Sequence, residues 1–277
     1  MLSEPRKVTD LVRADRDDRG VLTLTIDRPE AKNALTHGMR DRLADLLEAA
    51  SSDLRVRVVV ITGAGGAFCA GADLRGQPAA PPRPEGAPDR AVGDVARLVQ
   101  RGWQRLVTAV LDCERPVVAV VDGVAAGGGV QLALACDLVI ASDRARLVQS
   151  FVHRGIVPDA GAAYLLTRLV GPQRAKELFL LGEQVGADRA LELGLVNRVV
   201  SAGELGTHVD ELVVTLAAGP TRAYAATKQL VNRALETDRD TALRDEAVAQ
   251  ELIQGTADAD EGVTAFIERR APTFRGW

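Results

Sequence analysis

The sequence predicts an α/β fold, with a core over residues 1–200 and an all-helical region over 201–277. Three observations predict it. Up to about residue 200, short apolar runs alternate with stretches of helical periodicity, the pattern of strands linked by helices. Two of those runs end in Gly-rich loops that open helices. Beyond residue 201 the strand pattern gives way to amphipathic helices.

The elements follow in order. Residues 21–27 alternate apolar and polar side chains and read as a strand, stopped by Arg28-Pro29. Thr36 is placed to N-cap a helix to about Ala50, with Met39, Leu43, Leu46 and Leu47 on one face. Residues 56–62 form a second strand that runs into the glycine-rich segment Gly63 to Asp73. Five of the twelve prolines fall within 75–89, so this stretch reads as a mobile loop. A helix follows over 90–112. The strand Pro116–Val121 then enters a second glycine-rich loop, which opens an Ala-rich helix. Strands are expected at 137–141, 145–149 and 195–200. Helices are expected at 161–170 and 173–181, separated by Gly171-Pro172. The last four helices span 203–218, 221–236, 240–254 and 260–270.

Composition narrows the function. The 277 residues carry a net charge of −4, which argues against a basic groove for nucleic acid. No apolar run approaches the roughly 18 residues of a membrane span. The charged N-terminal stretch does not read as a signal peptide. Cys69, Cys113 and Cys136 are odd in number and lack metal-ligand spacing, so the expectation is a reducing cytoplasm without disulfides or a metal site.

The two glycine-rich loops carry the chemistry. Glycines let the backbone approach a ligand, and the first N–H groups of a helix lack internal partners. Such loops suit an anion or a developing oxyanion, or they serve only tight turns and close packing. Phe68 stands where a dinucleotide fingerprint needs glycine, and neither loop continues as a P-loop. No Gly-x-Ser-x-Gly nucleophile motif occurs. Of the three histidines only His153 falls near the loop chemistry; His37 sits at a helix start and His208 in the helical region. Asp159, after Pro158 and before Ala-Gly-Ala-Ala, suits a helix N-cap and equally a catalytic acid or base.

A set of motifs then appears in order along nearly the whole chain. They are Arg28-Pro-Glu-Ala-Lys-Asn-Ala-Leu35, Ala67-Phe-Cys-Ala-Gly-Ala-Asp73, the run from Pro116 to Gly129, Ala135-Cys-Asp137, and the run from Glu261 to Arg270. Together they resemble the enoyl-CoA hydratase/isomerase (crotonase) superfamily. The resemblance implies a spiral of ββα turns with a C-terminal helical trimerisation region. It implies an acyl-CoA thioester substrate, a homotrimer or dimer of trimers, and no cofactor beyond the coenzyme A of the substrate. It also implies an oxyanion hole formed by the backbone N–H groups of Ala72 and Gly128. The positions matching its CoA and acyl contacts are Ala31, Lys32, Ala70, Asp73 and Leu74, with Phe266 and Arg269 reaching a neighbouring subunit's ligand.

The sequence departs from the family's hydratases at both catalytic glutamates. The corresponding positions hold Gln131 and Phe151. Gln131 hydrogen-bonds but does not take a proton from water at neutral pH, and Phe151 does neither. Asp159 falls where a different branch keeps its acid. The run from Val148 to Asp159 resembles the ring-epoxide and double-bond isomerases of phenylacetyl-CoA breakdown, which carry Val-Pro-Asp. It is similar also to 4-chlorobenzoyl-CoA dehalogenase, from which Gln104 and Phe151 depart. The reading is therefore an enoyl-CoA isomerase with Asp159 as its acid/base, in a pocket kept dry by Leu147 and Phe151. A hydratase with atypical acid/base residues and a non-catalytic acyl-CoA binder are the alternatives.

Overall fold

The computed structural model describes residues 6–75, 82–88 and 90–277. The chain starts with one helical turn, α1 (Val8–Leu11), and strand β1 (Val12–Arg16). Strand β2 (Val21–Ile26) and helix α2 (His37–Ser52) follow, and Thr36 caps α2 by accepting from the Met39 N–H. Three ββα units come next. The first is β3 (Val58–Gly63), β4 (Ala67–Cys69) and the broken helix α3 (Asp94–Val99) and α4 (Arg105–Leu111). The second is β5 (Val117–Val121), β6 (Val124–Ala126) and α5 (Gly128–Ala135). The third is β7 (Leu138–Ser142), β8 (Arg146–Val148) and α6 (Ala162–Leu181), which breaks at Gly171, where the backbone leaves helical geometry before Pro172. Strand β9 (Gln184–Gly186), helix α7 (Ala187–Glu192) and strand β10 (Arg198–Val200) close the core. Helices α8 (Leu205–Ala217), α9 (Thr221–Arg233), α10 (Arg239–Gln254) and α11 (Ala257–Glu268) complete the chain.

The first strand of each unit joins one sheet, in the order β1-β2-β3-β5-β7-β10, and the second joins another, in the order β4-β6-β8-β9. Pairing is parallel except between β1 and β2 and between β8 and β9. This is the ββα spiral that the motifs imply. The Val-rich strands run without polar breaks because both faces of the larger sheet are covered. Val59, Ile61, Val117, Ala119 and Val121 point into the main core with Leu43 and Leu47 of α2. Val58, Val60, Val118 and Val120 point the other way, onto Leu205, Val213 and Ala217 of α8.

Several expectations are corrected. The apolar face of α8 packs on the larger sheet of its own chain, with Leu212 and Leu216 partly buried against it. The helical region also carries exposed apolar side chains, among them Val231, Leu235, Leu252, Phe266 and Ile267. The helix expected over 90–112 begins at Asp94 and passes through a π turn at Gln100–Gln104. The loop expected over 75–89 lies partly outside the described residues; residues 82–88 within it form no helix or strand. Strands β4, β6 and β9 are three residues each, too short to show a period in the sequence. Among the described residues no helix is long and apolar enough to cross a membrane.

A partly exposed ion pair helps tie the helical region to the core. The Asp137 carboxylate accepts from the Val117 N–H at 2.7 Å and from Lys228 Nζ of α9 at 2.9 Å. Lys228 also donates to the Val110 carbonyl at 2.8 Å. Burial pushes the Asp137 carboxyl above its ordinary pKa, and the Lys228 charge offsets part of that rise.

Candidate active site

The two glycine-rich loops meet beside a cavity of about 190 Å³. The first loop is fixed from behind by Asn33, whose side chain is wholly buried. Its Nδ2 donates to the Ala64 and Ala67 carbonyls at 2.8 and 2.6 Å, and its Oδ1 accepts from the Arg28 N–H at 2.8 Å. Backbone bonds from Leu35 N to Gly71 O and from Asp73 N to Leu35 O then hold residues 71–73 extended. Gly71 sits at φ +91°, and a Cβ there would lie 2.7 Å from the Ala126 carbonyl oxygen and 3.4 Å from Gly128 N. Only glycine allows this approach of the first loop to the second.

That approach leaves two N–H groups free beside the cavity. Gly128 is the first residue of α5, where an N–H has no partner within the helix. Neither the Gly128 nor the Ala72 N–H has an acceptor among the described residues. Ala70, Gly71, Ala72, Asp73, Leu74, Gly127 and Gly128 all line the cavity. Asp73 is already engaged: its carboxylate is ion-paired with Arg28 at 2.7 Å and accepts from the Arg75 N–H. The Arg75 N–H and the Arg28 guanidinium hold it below the usual carboxylate range.

Asp159 lines the same cavity. It is not the cap of α6. Gly161 occupies the N-cap in the left-handed region, Ala160 before it has φ +54°, and no side chain caps the helix. The Asp159 carboxylate is instead half-buried and unpaired. Burial raises its pKa above the ordinary value, and the nearby Arg40 charge opposes that rise. Phe151, Trp103, Leu35, Leu98 and Val99 supply apolar walls. Leu147, expected to help dry the pocket, is buried in the core and does not line it.

The remaining expected residues lie apart from the cavity. Gln131 is wholly buried, and its Nε2 donates to Gln149 Oε1 at 2.8 Å and to the Gly127 carbonyl at 3.3 Å. It therefore braces the peptide unit whose other end is the Gly128 N–H, without lining the cavity. Lys32 and Ala31 belong to the adjoining loop, where the Lys32 carbonyl accepts from the Ala70 N–H at 3.0 Å. Phe266 and Arg269 are exposed on α11 and at its end, outside the lining of this cavity. His153 turns away, within hydrogen-bonding distance of the Gly182 carbonyl at 2.9 Å. The histidine that lines the cavity is His37.

Sequence reasoning missed His37, Arg40 and Trp103. Trp103 is brought in by the π turn, and π turns of this kind recur at functional sites. Its ring lies where a Cβ on Gly128 would meet it at 2.8 Å. Arg40 lies one helical turn after the start of α2 and is 6% exposed.

The ββα spiral thus brings two glycine-rich loops with free N–H groups and one carboxylate without an ion-pair partner to a single cavity. The comparisons with known proteins agree with the fold. The enoyl-CoA hydratase/isomerase family profile matches residues 16–276, and the chain belongs to that family. It is 39% identical to 1,2-epoxyphenylacetyl-CoA isomerase of Escherichia coli, over 94% of this chain and 96% of that protein. It is 38% identical to a probable enoyl-CoA hydratase of Rhodobacter capsulatus, over 93% and 95%. The crystal structure of an enoyl-CoA hydratase of Mycobacterium smegmatis superposes with a TM-score of 0.86 at 36% identity, covering 95% of this chain and 98% of that one.

Proposed function

We propose that the protein is an acyl-CoA isomerase, acting on a double bond or a ring epoxide of the acyl group. One observation carries the reading. Asp159 is the single carboxylate among the described cavity residues that has no ion-pair partner, and it shares that cavity with the free N–H groups of Ala72 and Gly128. The thioester oxygen accepts from both N–H groups as negative charge develops on it, and each such donor is worth about 3–4 kcal/mol. Asp159 takes a proton from the acyl carbon flanking the thioester or the double bond. The electron pair shifts along the chain, and Asp159 returns the proton two carbons away. A single carboxylate suffices for this, and its raised pKa suits a general base.

Hydration needs water activated at one carbon and a proton delivered at the other. The positions of the two family glutamates hold Gln131, bonded to Gln149, and Phe151, an apolar wall. This weighs against the hydratase name carried by several relatives. No cofactor is required beyond the coenzyme A of the substrate. The exposed apolar side chains of α9 to α11 support a homotrimer or dimer of trimers, in which Phe266 and Arg269 reach a neighbour's ligand. Three buried free thiols suit a reducing, cytoplasmic setting.

Mass spectrometry of 2-enoyl and 3-enoyl CoA thioesters incubated in deuterated water tests the reading. Deuterium flanking the thioester, with no gain of water, is the expected result. A water adduct would establish a hydratase instead. Binding without either change would leave a non-catalytic acyl-CoA binder.

A further inference from the structure

We propose that Arg40 receives a carboxylate carried on the acyl group, so that the substrate is the CoA thioester of a carboxylated acyl chain. This rests on the acyl-CoA reading above and names the class of acyl group. Arg40 is 6% exposed and lines the cavity. Among the described residues its guanidinium makes no hydrogen bond and no ion pair, and its Nε is buried without a partner. A buried cation in that state is costly unless something binds it. Asp41 and Asp159 act on it only through their fields.

The surroundings hold the guanidinium in place without satisfying it. A Cβ on Gly102 would lie 2.6 Å from Arg40 Cζ, so the glycine of the π turn makes its room. The Trp103 ring centroid is 6.0 Å away, at the outer limit of cation–π range. Other charged groups on the cavity wall leave the space open to an anion. Arg154 already donates to the Ser150 carbonyl and hydroxyl, and Asp73 is held by Arg28. His37 adds no negative charge. The coenzyme A phosphates need a solvated surface, whereas Arg40 is buried and shares its cavity with the apolar Leu35, Trp103 and Phe151 and with Asp159, a setting that suits the acyl group. A planar guanidinium matches a carboxylate with two parallel hydrogen bonds. A methyl-ended acyl chain leaves every one of those donors unmade.

The test is calorimetric binding of length-matched saturated thioesters: butyryl- against succinyl-CoA, pentanoyl- against glutaryl-CoA, and hexanoyl- against adipyl-CoA. At the length that reaches Arg40, the carboxylated member should bind about ten- to a hundredfold more tightly. Arg40→Leu should erase the difference within that pair. Arg40→Lys keeps the charge without the fork and should retain part of it. Equal affinities at every length in the unaltered protein would overturn the proposal, as would a surviving preference in Arg40→Leu. The length series on the unaltered protein decides the matter by itself if Arg40→Leu does not fold. Failure of all six thioesters to bind would sink the acyl-CoA reading. Binding without preference would sink only the assignment to Arg40.

Discussion

Replacing Asp159 by Asn separates chemistry from folding. Asn keeps the size and polarity of the side chain but accepts no proton at neutral pH. Asp159 does not cap α6, and among the described residues its carboxylate forms no hydrogen bond to another residue. The fold therefore has little to lose. The sign of the stability change follows from burial. The folded pKa is raised above the ordinary 3.8, so the native state holds the proton more tightly than the unfolded chain. That contribution is fully present below the unfolded pKa and is lost as pH rises through the folded one. At pH 7 the native protein carries the cost of a partly buried charge that Asn does not. Asp159→Asn should melt at or above the unaltered protein at pH 7, and the difference should close towards pH 3. Positioned general-base catalysis is worth about 10²–10⁴-fold, and isomerisation should fall by that much. Deuterium uptake into a 3-enoyl CoA thioester gives the rate, and circular dichroism gives the melting temperature. Undiminished exchange would remove Asp159 from the chemistry. A melting temperature several degrees lower would show a structural role in its place.

Gly128→Ala places a Cβ 2.8 Å from the Trp103 ring, so the ring or the loop that carries the Gly128 N–H must shift. Turnover should fall about a hundredfold in steady-state assays while CoA affinity falls less. Lys228→Met leaves Asp137 without its cationic partner, which should lower the unfolding free energy measured in urea by about 2 kcal/mol. That is below the range for fully buried pairs because the Asp137 side chain is 25% exposed. Light scattering at micromolar concentration should give three or six times the 29.4 kDa of one chain. A monomer would contradict the assembly and the contribution of Phe266 and Arg269 to a neighbour's site.

The fold was legible where glycine and valine impose it. The Val-rich runs became strands of the larger sheet, and the two glycine loops became the walls of the cavity. Strand β1 was hidden because Val-Arg-Ala-Asp-Arg reads as charged chain. As an edge strand it buries only Val12 and leaves its charges in solvent. Asp159 was legible as a residue but its helix cap was not real, since Ala160 and Gly161 both adopt left-handed conformations that the sequence does not announce. His153 lies near the cavity loops along the chain, yet its ring is placed beside the Gly182 carbonyl. Arg40 follows Met39 of the apolar face and reads as a solvated neighbour. Its burial arises only when the π turn lays Gly102 and Trp103 over it, a contact some sixty residues away in sequence.

Arg40 and Asp159 also act on each other, which gives a prediction of its own. Burial raises the Asp159 pKa and the Arg40 charge lowers it. His37, Arg154 and the ion-paired Asp73 complete the titratable and charged groups on the wall, and Asp41 acts on Arg40 from its own helix. A carboxylate seated on Arg40 cancels much of the positive field that Asp159 feels. The Asp159 pKa should then rise further once such a substrate is bound. The acid limb of the kcat profile reports groups in the enzyme–substrate complex. It should therefore lie at higher pH for a carboxylated enoyl thioester than for a methyl-ended one of the same length. Arg40 is buried and Asp159 half-buried, so 0.5 M salt should weaken the displacement only in part. Coincident acid limbs for the two substrates would show that the acyl carboxylate sits elsewhere, or that Arg40 does not tune the base.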